Sequence, residues 1–329
     1  SLILEIGSGI VTFKDLTSLL SEHPEERDVV MGQFREIYDG AYTKSFGTGE
    51  TITWKGKITI IAGATHKIHS LKQRYTAMGE RFIFYNLLQP NREAATERTM
   101  TNQEEGKMTA NRALCAVLMH DYVLAVLNAM PTEIPRLEEE MRKNTISLAE
   151  LATRARSDVD RNWRSPLQEV TEILPPEMPT RFAGQLQTVL QSLKIINYYE
   201  TGSFAVLPED TALVNKLALD SVTTMRRKVM QELARYEQIE TTGIATKLGL
   251  PTNSVRRHVE DLCALEIANR HKRSGPQGDN WSIKPHYRKL MNDFEGIALE
   301  GDILTEYNAE AAANVEADQG PLPGDPGVF

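Results

Sequence analysis

Cysteine is nearly absent. Cys115 and Cys263 are the only two in 329 residues, far apart and in no CxxC pair. Neither a disulfide framework nor a thiolate zinc site is available, and a reducing, cytoplasmic setting is expected. Long apolar runs are missing too. The densest, Ile58–Ala64, falls well short of the roughly 18 residues that span a bilayer, so no membrane partner is expected. No basic segment followed by an apolar one opens the chain, so a signal peptide is not indicated. The first residue is Ser1, not Met, and the strand-like Gly9–Phe13 follows almost at once, which reads as the rear part of something longer. GxxxxGK[ST], a Rossmann fingerprint, a nucleophile elbow and a paired-carboxylate motif are all lacking.

What is present is globular in kind. A content of 41% apolar and 25% charged residues excludes collagen-like and wholly disordered chains, and the length fits about two domains. The net charge of −8 hides a division: residues 226–290 carry +6, while residues 291–329 carry −9 with no Lys or Arg at all. A basic module sits beside an acidic tail.

Apolar periodicity predicts an α/β front followed by a mainly α rear. Ile10–Phe13, Lys57–Ala62 and Arg81–Leu87 read as buried strands. Pro24-Glu25-Glu26 opens an amphipathic helix bearing Val29, Val30, Phe34 and Ile37, which Asp39-Gly40 stops. Phe46–Glu50 is a hairpin turn. Residues 91–165 read as helical throughout, with Leu114, Leu118, Tyr122 and Ala125 on one stripe. Prolines 166, 175, 176 and 179 then break the pattern before helices at Arg181–Tyr198, Glu209–Lys216 and Leu217–Arg235. The pattern decays after Trp281, and the last twenty or so residues have the composition of a disordered segment. The expected division is 1–90, 91–220, 221–290 and 291–329.

The strongest local signal lies in the third of these segments. Thr241–Leu248 is a short helix, Gly249-Leu250-Pro251 a tight turn, and Asn253–Leu265 a second helix for which Thr252 is the expected cap. Val255, Val259 and Leu262 share its inward face, leaving Asn253, Arg256, Arg257 and Glu260 outward. Ile267–Arg270 and Trp281–Ile283 then read as strands around a Gly/Pro-containing loop. Helix, turn, helix and β-wing make a winged helix-turn-helix, whose second helix enters the major groove of DNA. Arg256 and Arg257 suit phosphates or guanine edges, and Lys272 and Arg273 on the wing suit phosphates. Such modules also dock proteins, with the arginines forming a solvated face.

The front carries a resemblance. GIVTFKDLTSLL (9–20), KITIIAGAT (57–65), GERFIFYNL (79–87) and PTRFAGQL (179–186) follow the order of motifs in AAA+ P-loop ATPases, and look most like the minichromosome-maintenance and MoxR-like branches. The resemblance covers about residues 1–220 and implies a partial P-loop core with a helical lid. It also implies ATP and Mg²⁺ as cofactors, with Asp15 as the Mg²⁺-holding carboxylate and Thr65 as the sensor that orients water. Arg81 would be the finger reaching a neighbouring subunit in a homo-oligomer, and Arg181 a lid arginine. Each has a plainer reading, for Asp15 a helix cap and for Arg81 a surface ion pair. Lys44, with Lys55 and Lys57, lies on a hairpin that in helicase-like members faces nucleic acid, although edge lysines also guard strands against aggregation.

Two departures stand against it. Leu16 occupies the position of the usual catalytic Glu, and Gly106-Lys107-Met108 lacks the loop glycine and hydroxyl of a phosphate cradle. His66 and His69 are a faint metal pair with no third ligand nearby. The expectation is a fragment of a DNA-associated, helicase-like or loader-like ATPase, by analogy of phage or mobile-element type. The alternative is a non-catalytic DNA-binding regulator with a degenerate, ATPase-like oligomerisation domain.

Overall fold

The computed structural model describes residues 5–295 except 46, 48, 50, 66, 67, 69–80, 88–90, 105, 163, 166, 167 and 273–277. The acidic 291–329 segment beyond residue 295, Arg273, Trp163 and the His66/His69 pair therefore lie outside the described residues.

In the front, β-branched residues form β1 (Gly9–Phe13) and β4 (Ile58–Ala62), which pair in parallel from Gly9↔Ile58 to Phe13↔Ala62. Between them come α1 (Thr17–Leu20), α2 (Pro24–Tyr38) and the antiparallel hairpin of β2 (Ala41–Ser45) and β3 (Thr51–Lys55). Proline in the first turn of α2, with Glu25 and Glu26 behind it, suits the positive end of the helix dipole. Gly40 follows that helix at φ +86°, a left-handed conformation glycine adopts without strain. Trp54 on β3 is buried and donates its indole N–H to the Gly7 carbonyl at 2.8 Å, tying the hairpin to the strand pair.

The buried three-stranded reading does not hold. Ile10 and Ile61 are 66% and 57% exposed. Residues 81–87 are neither helix nor strand and lie instead against the rear helices: Gln185 Nε2 donates to the Arg81 carbonyl at 2.8 Å, and Asn86 N–H donates to the Asp220 carboxylate at 2.8 Å. A parallel sheet is ordinarily covered on both faces. Among the described residues this one has two strands and a cover on one side, where Leu16, Met31 and Phe34 pack on Phe13 and Ala62.

The rear is helical. After α3 (Arg92–Glu104) and α4 (Lys107–Asn128) come α5 (Glu139–Ala155), β5 (Val159–Arg161) and β6 (Val170–Ile173). Then follow α6 (Thr180–Thr201), α7 (Pro208–Asp220) and α8 (Thr224–Arg235). The final group is β7 (Ile239–Glu240), α9 (Thr241–Leu248), α10 (Thr252–Ala264), β8 (Ala268–His271), β9 (Asn280–Ile283) and α11 (Pro285–Glu295). The β5–β6 hairpin interrupts the stretch expected to be wholly helical, β7 adds a strand, and α11 replaces the expected decay after Trp281.

One hydrophobic cluster runs from α5 to α11 without a seam at residue 220. Leu151, Leu186, Leu233, Val259 and Ile267 are fully buried in it, so the winged element and the helices before it share a core. α4 stands apart. It is long and apolar enough to cross a membrane by length and composition alone, although Asn111, Arg112, His120 and Asp121 interrupt its apolar run.

Truncating a side chain at the centre of the shared core tests its unity. Leu233→Ala is expected to lower unfolding stability by about 3 kcal/mol and to shift helix loss and Trp281 burial together in one denaturant transition.

Candidate nucleic-acid interface

α9 ends at Gly249, held at φ +62°, and the Leu250 N–H donates back to the Ala245 carbonyl at 3.0 Å. That turn sets the angle at which α10 leaves. Val255, Val259 and Leu262 of α10 are fully buried, as the spacing predicts. The cap is displaced: Thr252 is the first helical residue, Pro251 stands in the capping position, and no side chain caps the helix. β9 is the central strand of β7-β9-β8, with Ala268↔Ile283 and Ile239↔Trp281 among its pairs. Trp281 is 2% exposed and donates to Thr241 Oγ1 at 2.8 Å, which fastens the wing to the start of α9. The Arg270 guanidinium lies 5.5 Å from the Trp281 ring centre and pairs with Asp279 at the wing's base.

The outward face of α10 is divided. Thr252 and Asn253 are exposed, and Arg256 and Arg257 follow at intermediate exposure. Beyond them the helix is clasped. Arg161 on β5, only 2% exposed, donates to Asp261 Oδ1 at 2.6 Å, to Glu260 Oε2 at 3.1 Å and to the Arg257 carbonyl at 2.8 Å. Arg226 on α8 reaches the other oxygen of Asp261 at 3.2 Å and donates to the carbonyls of Ala155 and Ser157. Burial would lower the pKa of Arg161, but Asp261 and Glu260 outweigh it and leave the pKa raised. Glu260, expected to face solvent, is thus a partner of Arg161. Nothing local in the sequence marks Arg161, Arg226 or Asp261, since the contacting residues lie 35 to 100 positions apart. His258 lies beside this cluster, its pKa lowered chiefly by burial and further by Arg226, Arg161 and Arg257, against the pull of Asp261.

A cleft of about 480 Å³ opens between α10, the wing and β6, lined by Glu169, Val170, Arg256, Glu260, Cys263 and Trp281 among others. Burial pushes the Cys263 thiol up to about 12, so it is no nucleophile at neutral pH. Lys272 is exposed where the wing leaves β8.

The front residues fall differently. Asp15 is exposed and its Oδ1 accepts the Thr17 N–H at 2.7 Å. The Thr17 hydrogen bonds hold its pKa below the usual carboxylate value. Thr17 Oγ1 accepts the Thr65 N–H at 2.9 Å and donates to Thr65 Oγ1 at 3.2 Å. The structure therefore brings Asp15 and Thr65 together through Thr17 at the ends of β1 and β4, as an Asx turn entering α1. A single carboxylate with hydroxyls needs a phosphate cradle beside it to hold a Mg²⁺–nucleotide pair, and the sequence carries no GxxxxGK[ST] to supply one. Among the described residues no backbone cradle for phosphates adjoins them, and no group of three or more His, Cys, Asp or Glu is placed to hold a metal. Arg81 donates to Asp39 Oδ2 of its own chain at 2.8 Å and is 14% exposed, engaged within the subunit and not presented as a finger. Arg181 is exposed in the first turn of α6, and Lys44 is exposed on β2 opposite Ile52.

No family model and no curated protein matches the chain. Solved structures do. A possible transcriptional regulator from Methanosarcina mazei Go1 matches at 17% identity over 34% of this chain and 87% of its own, with a TM-score of 0.20. The YusO protein from Bacillus subtilis matches at 14% over 43% and 96%, with a TM-score of 0.23. A MarR family transcriptional regulator from Silicibacter pomeroyi DSS matches at 17% over 44% and 99%, with a TM-score of 0.21. These neighbours are not AAA+ ATPases. The AAA+ resemblance expected from the front is corrected on the geometry: among the described residues the parallel pair has two strands, and residues 81–87 bond to α6 and α7 instead of joining it. The described chain is mixed α/β, mostly helical, with a winged helix-turn-helix and no P-loop core.

Two outcomes are expected of the clasp. Arg161→Ala leaves the buried Asp261 with Arg226 as its remaining cation and empties the space between β5 and α10; it is expected to lower stability by about 3 kcal/mol, read from denaturant unfolding at pH 7. His258 stays neutral in the folded chain below the pH of about 6.5 at which the unfolded chain takes up a proton. The unfolded state then binds more protons, so stability falls as pH drops from 7 towards 5. His258→Gln should flatten that part of the decline, and an unchanged slope would acquit His258.

Proposed function

We propose that the chain is a non-catalytic DNA-binding protein, with the first turns of α10 entering the major groove and the wing lying along the backbone. The observation that carries this reading is the division of α10. Its inward face is core and its rear half is held by Arg161, so Thr252, Asn253, Arg256 and Arg257 are what the helix offers outward. In a winged helix these N-terminal positions are the ones that meet base edges. Asn pairs with adenine and Arg with guanine or phosphate, while Lys272 and Arg273 supply sequence-independent phosphate contacts. The +6 charge of residues 226–290 supports the same partner. The neutralisation of Glu260 by Arg161 removes a carboxylate that would repel phosphates. In this reading the front half is a platform that performs no chemistry of its own, and the two unpaired cysteines fit a reducing, cytoplasmic setting.

The test is duplex-DNA affinity measured by fluorescence anisotropy over a range of salt. Arg256→Ala/Arg257→Ala is expected to weaken binding at least about tenfold and to reduce the slope of log K against log salt by roughly 1 to 2. Affinity and slope that both match the parent would rule out the groove reading and leave the module as a protein-docking surface.

A further inference from the structure

The β5–β6 hairpin lies outside the winged element in sequence, yet it is fastened to the helix at the centre of that element. From the end of β5, Arg161 donates to Asp261, Glu260 and the Arg257 carbonyl of α10, and also to the Gln168 carbonyl of its own turn at 2.8 Å. One buried guanidinium thus fixes both the hairpin's turn and its seat. The strand register slips between Asp160 and Arg161, and a slip of this kind bends a hairpin and re-aims its side chains. Gln168 is held at φ +49°, a left-handed conformation that is costly for a residue with a Cβ and persists only where its surroundings impose it. Further bonds close the turn. The Asn162 N–H donates to the Glu169 carbonyl at 2.9 Å, the Ser165 N–H to the Asn162 carbonyl at 3.1 Å, and the Arg164 N–H to Asn162 Oδ1 at 3.1 Å.

What this turn presents is Arg164, the only charged residue between 162 and 168. It is exposed and has no ion-pair partner among the described residues, whereas Arg161, Arg226, Arg256 and Arg270 each meet a carboxylate. The cleft shows where the turn stands. Glu169 and Val170 line it from the hairpin, Arg256 and Glu260 from α10, and Arg270 and Trp281 from the wing. Two hairpins therefore flank one helix. Glu169 is bonded to Asn162, and Arg164 lies two residues farther on, within about 7 Å of chain from the border with Arg256. Phosphates run along both rims of a major groove about 12 Å wide, so a helix that enters the groove has phosphates at its flanks. We propose that the β5–β6 hairpin is a second arm on duplex DNA, with Arg164 on a backbone phosphate at the groove's rim. The contact is sequence-independent, since phosphate oxygens are alike at every base pair. Nearby carboxylates do not cancel it: Glu169 shares its cleft with Arg256 and Arg270, and Asp160 and Glu172 pair farther from the turn. This inference rests on the groove reading of α10.

The experiment is duplex-DNA affinity of the full chain over a range of salt, with hydroxyl-radical footprints of the same complexes. Arg164→Ala is expected to weaken binding about fivefold near physiological salt and to reduce the slope of log K against log salt by about 1. The loss should be equal on duplexes of unrelated sequence. Arg164→Lys should keep the slope, and Arg164→Glu should lose more than Arg164→Ala. Unfolding curves should stay parental, since the side chain is exposed and unpaired among the described residues. The parent's footprint should extend past the groove on one side, and Arg164→Ala should lose that flank alone. Parental affinity and slope in Arg164→Ala, with Arg256→Ala/Arg257→Ala still weakened, would overturn the second arm and leave the groove reading standing. A parent that binds no duplex, or a double variant without effect, would remove both. Tighter binding by Arg164→Ala would make the hairpin a cover over α10, and a loss confined to one sequence would make Arg164 a base reader; either overturns the phosphate arm.

Discussion

Asp261 holds the rear of this molecule in register. Its carboxylate is shared by Arg161 from the β5–β6 hairpin and Arg226 from α8, and all three side chains are at least nine-tenths buried. Removing such charges from water costs several kcal/mol each, so the cluster is stable only because nearly every donor is used. Arg161 also holds Glu260 and the carbonyls of Gln168 and Arg257, and Arg226 also holds two carbonyls at the end of α5. An apolar triplet of similar volume would fill the same space. It would not fix the rotation of α10, because apolar contacts slide and a two-armed carboxylate does not. The ion cluster therefore orients the helix that the proposed function depends on.

The same cluster explains why the winged element is not a separate bead. Three inward residues of α10 join the core shared with α5 to α8, while Asp261 and Glu260 grip the hairpin from the flank. A displacement of α10 is resisted on two sides by elements that precede it by 20 to 100 residues. A force on its N-terminal turns is then carried by the whole helical body and not by a tethered module alone.

How much of this the sequence could show follows from the range of each interaction. α9, the turn at Gly249, α10 and the wing were legible because their signals are local: a left-handed glycine, a spacing of four and three, two short apolar strands. The cap at Thr252 was misplaced by one position: Thr252 is already helical, and Pro251, which has no side-chain acceptor, precedes it in extended conformation. In the front the strands themselves were legible but their burial was not. An apolar run records what a segment would gain from burial, not whether a second layer is there to bury it, as Ile10 and Ile61 show. The AAA+ likeness failed for a related reason. Motifs in order fix spacing along the chain, whereas a P-loop core needs strands closed into one sheet, and residues 81–87 instead bond to α6 and α7. Arg161, Arg226 and Asp261 were beyond reach, since a pair separated by 100 residues leaves no local period. α4 escaped the search for unbroken apolar runs because four polar residues interrupt it, yet a helix presents its faces separately and the interruptions do not fall evenly on them.

α4 is tied to the same body that orients α10. α4 is not hung on a loose tether. Its last turns meet α6 through Tyr122, and the connection to α5 is pinned where the buried Lys194 donates to the carbonyls of Pro135 and Arg136. From α6 the path runs through the shared core to α8, and from α8 through Arg226 to Asp261 on α10. The first step is an exposed hydrogen bond, and those after it are packed side chains or buried hydrogen bonds. A displacement of the last turns of α4 is therefore passed to α6 and, through the shared core, to the helix whose rotation Asp261 fixes.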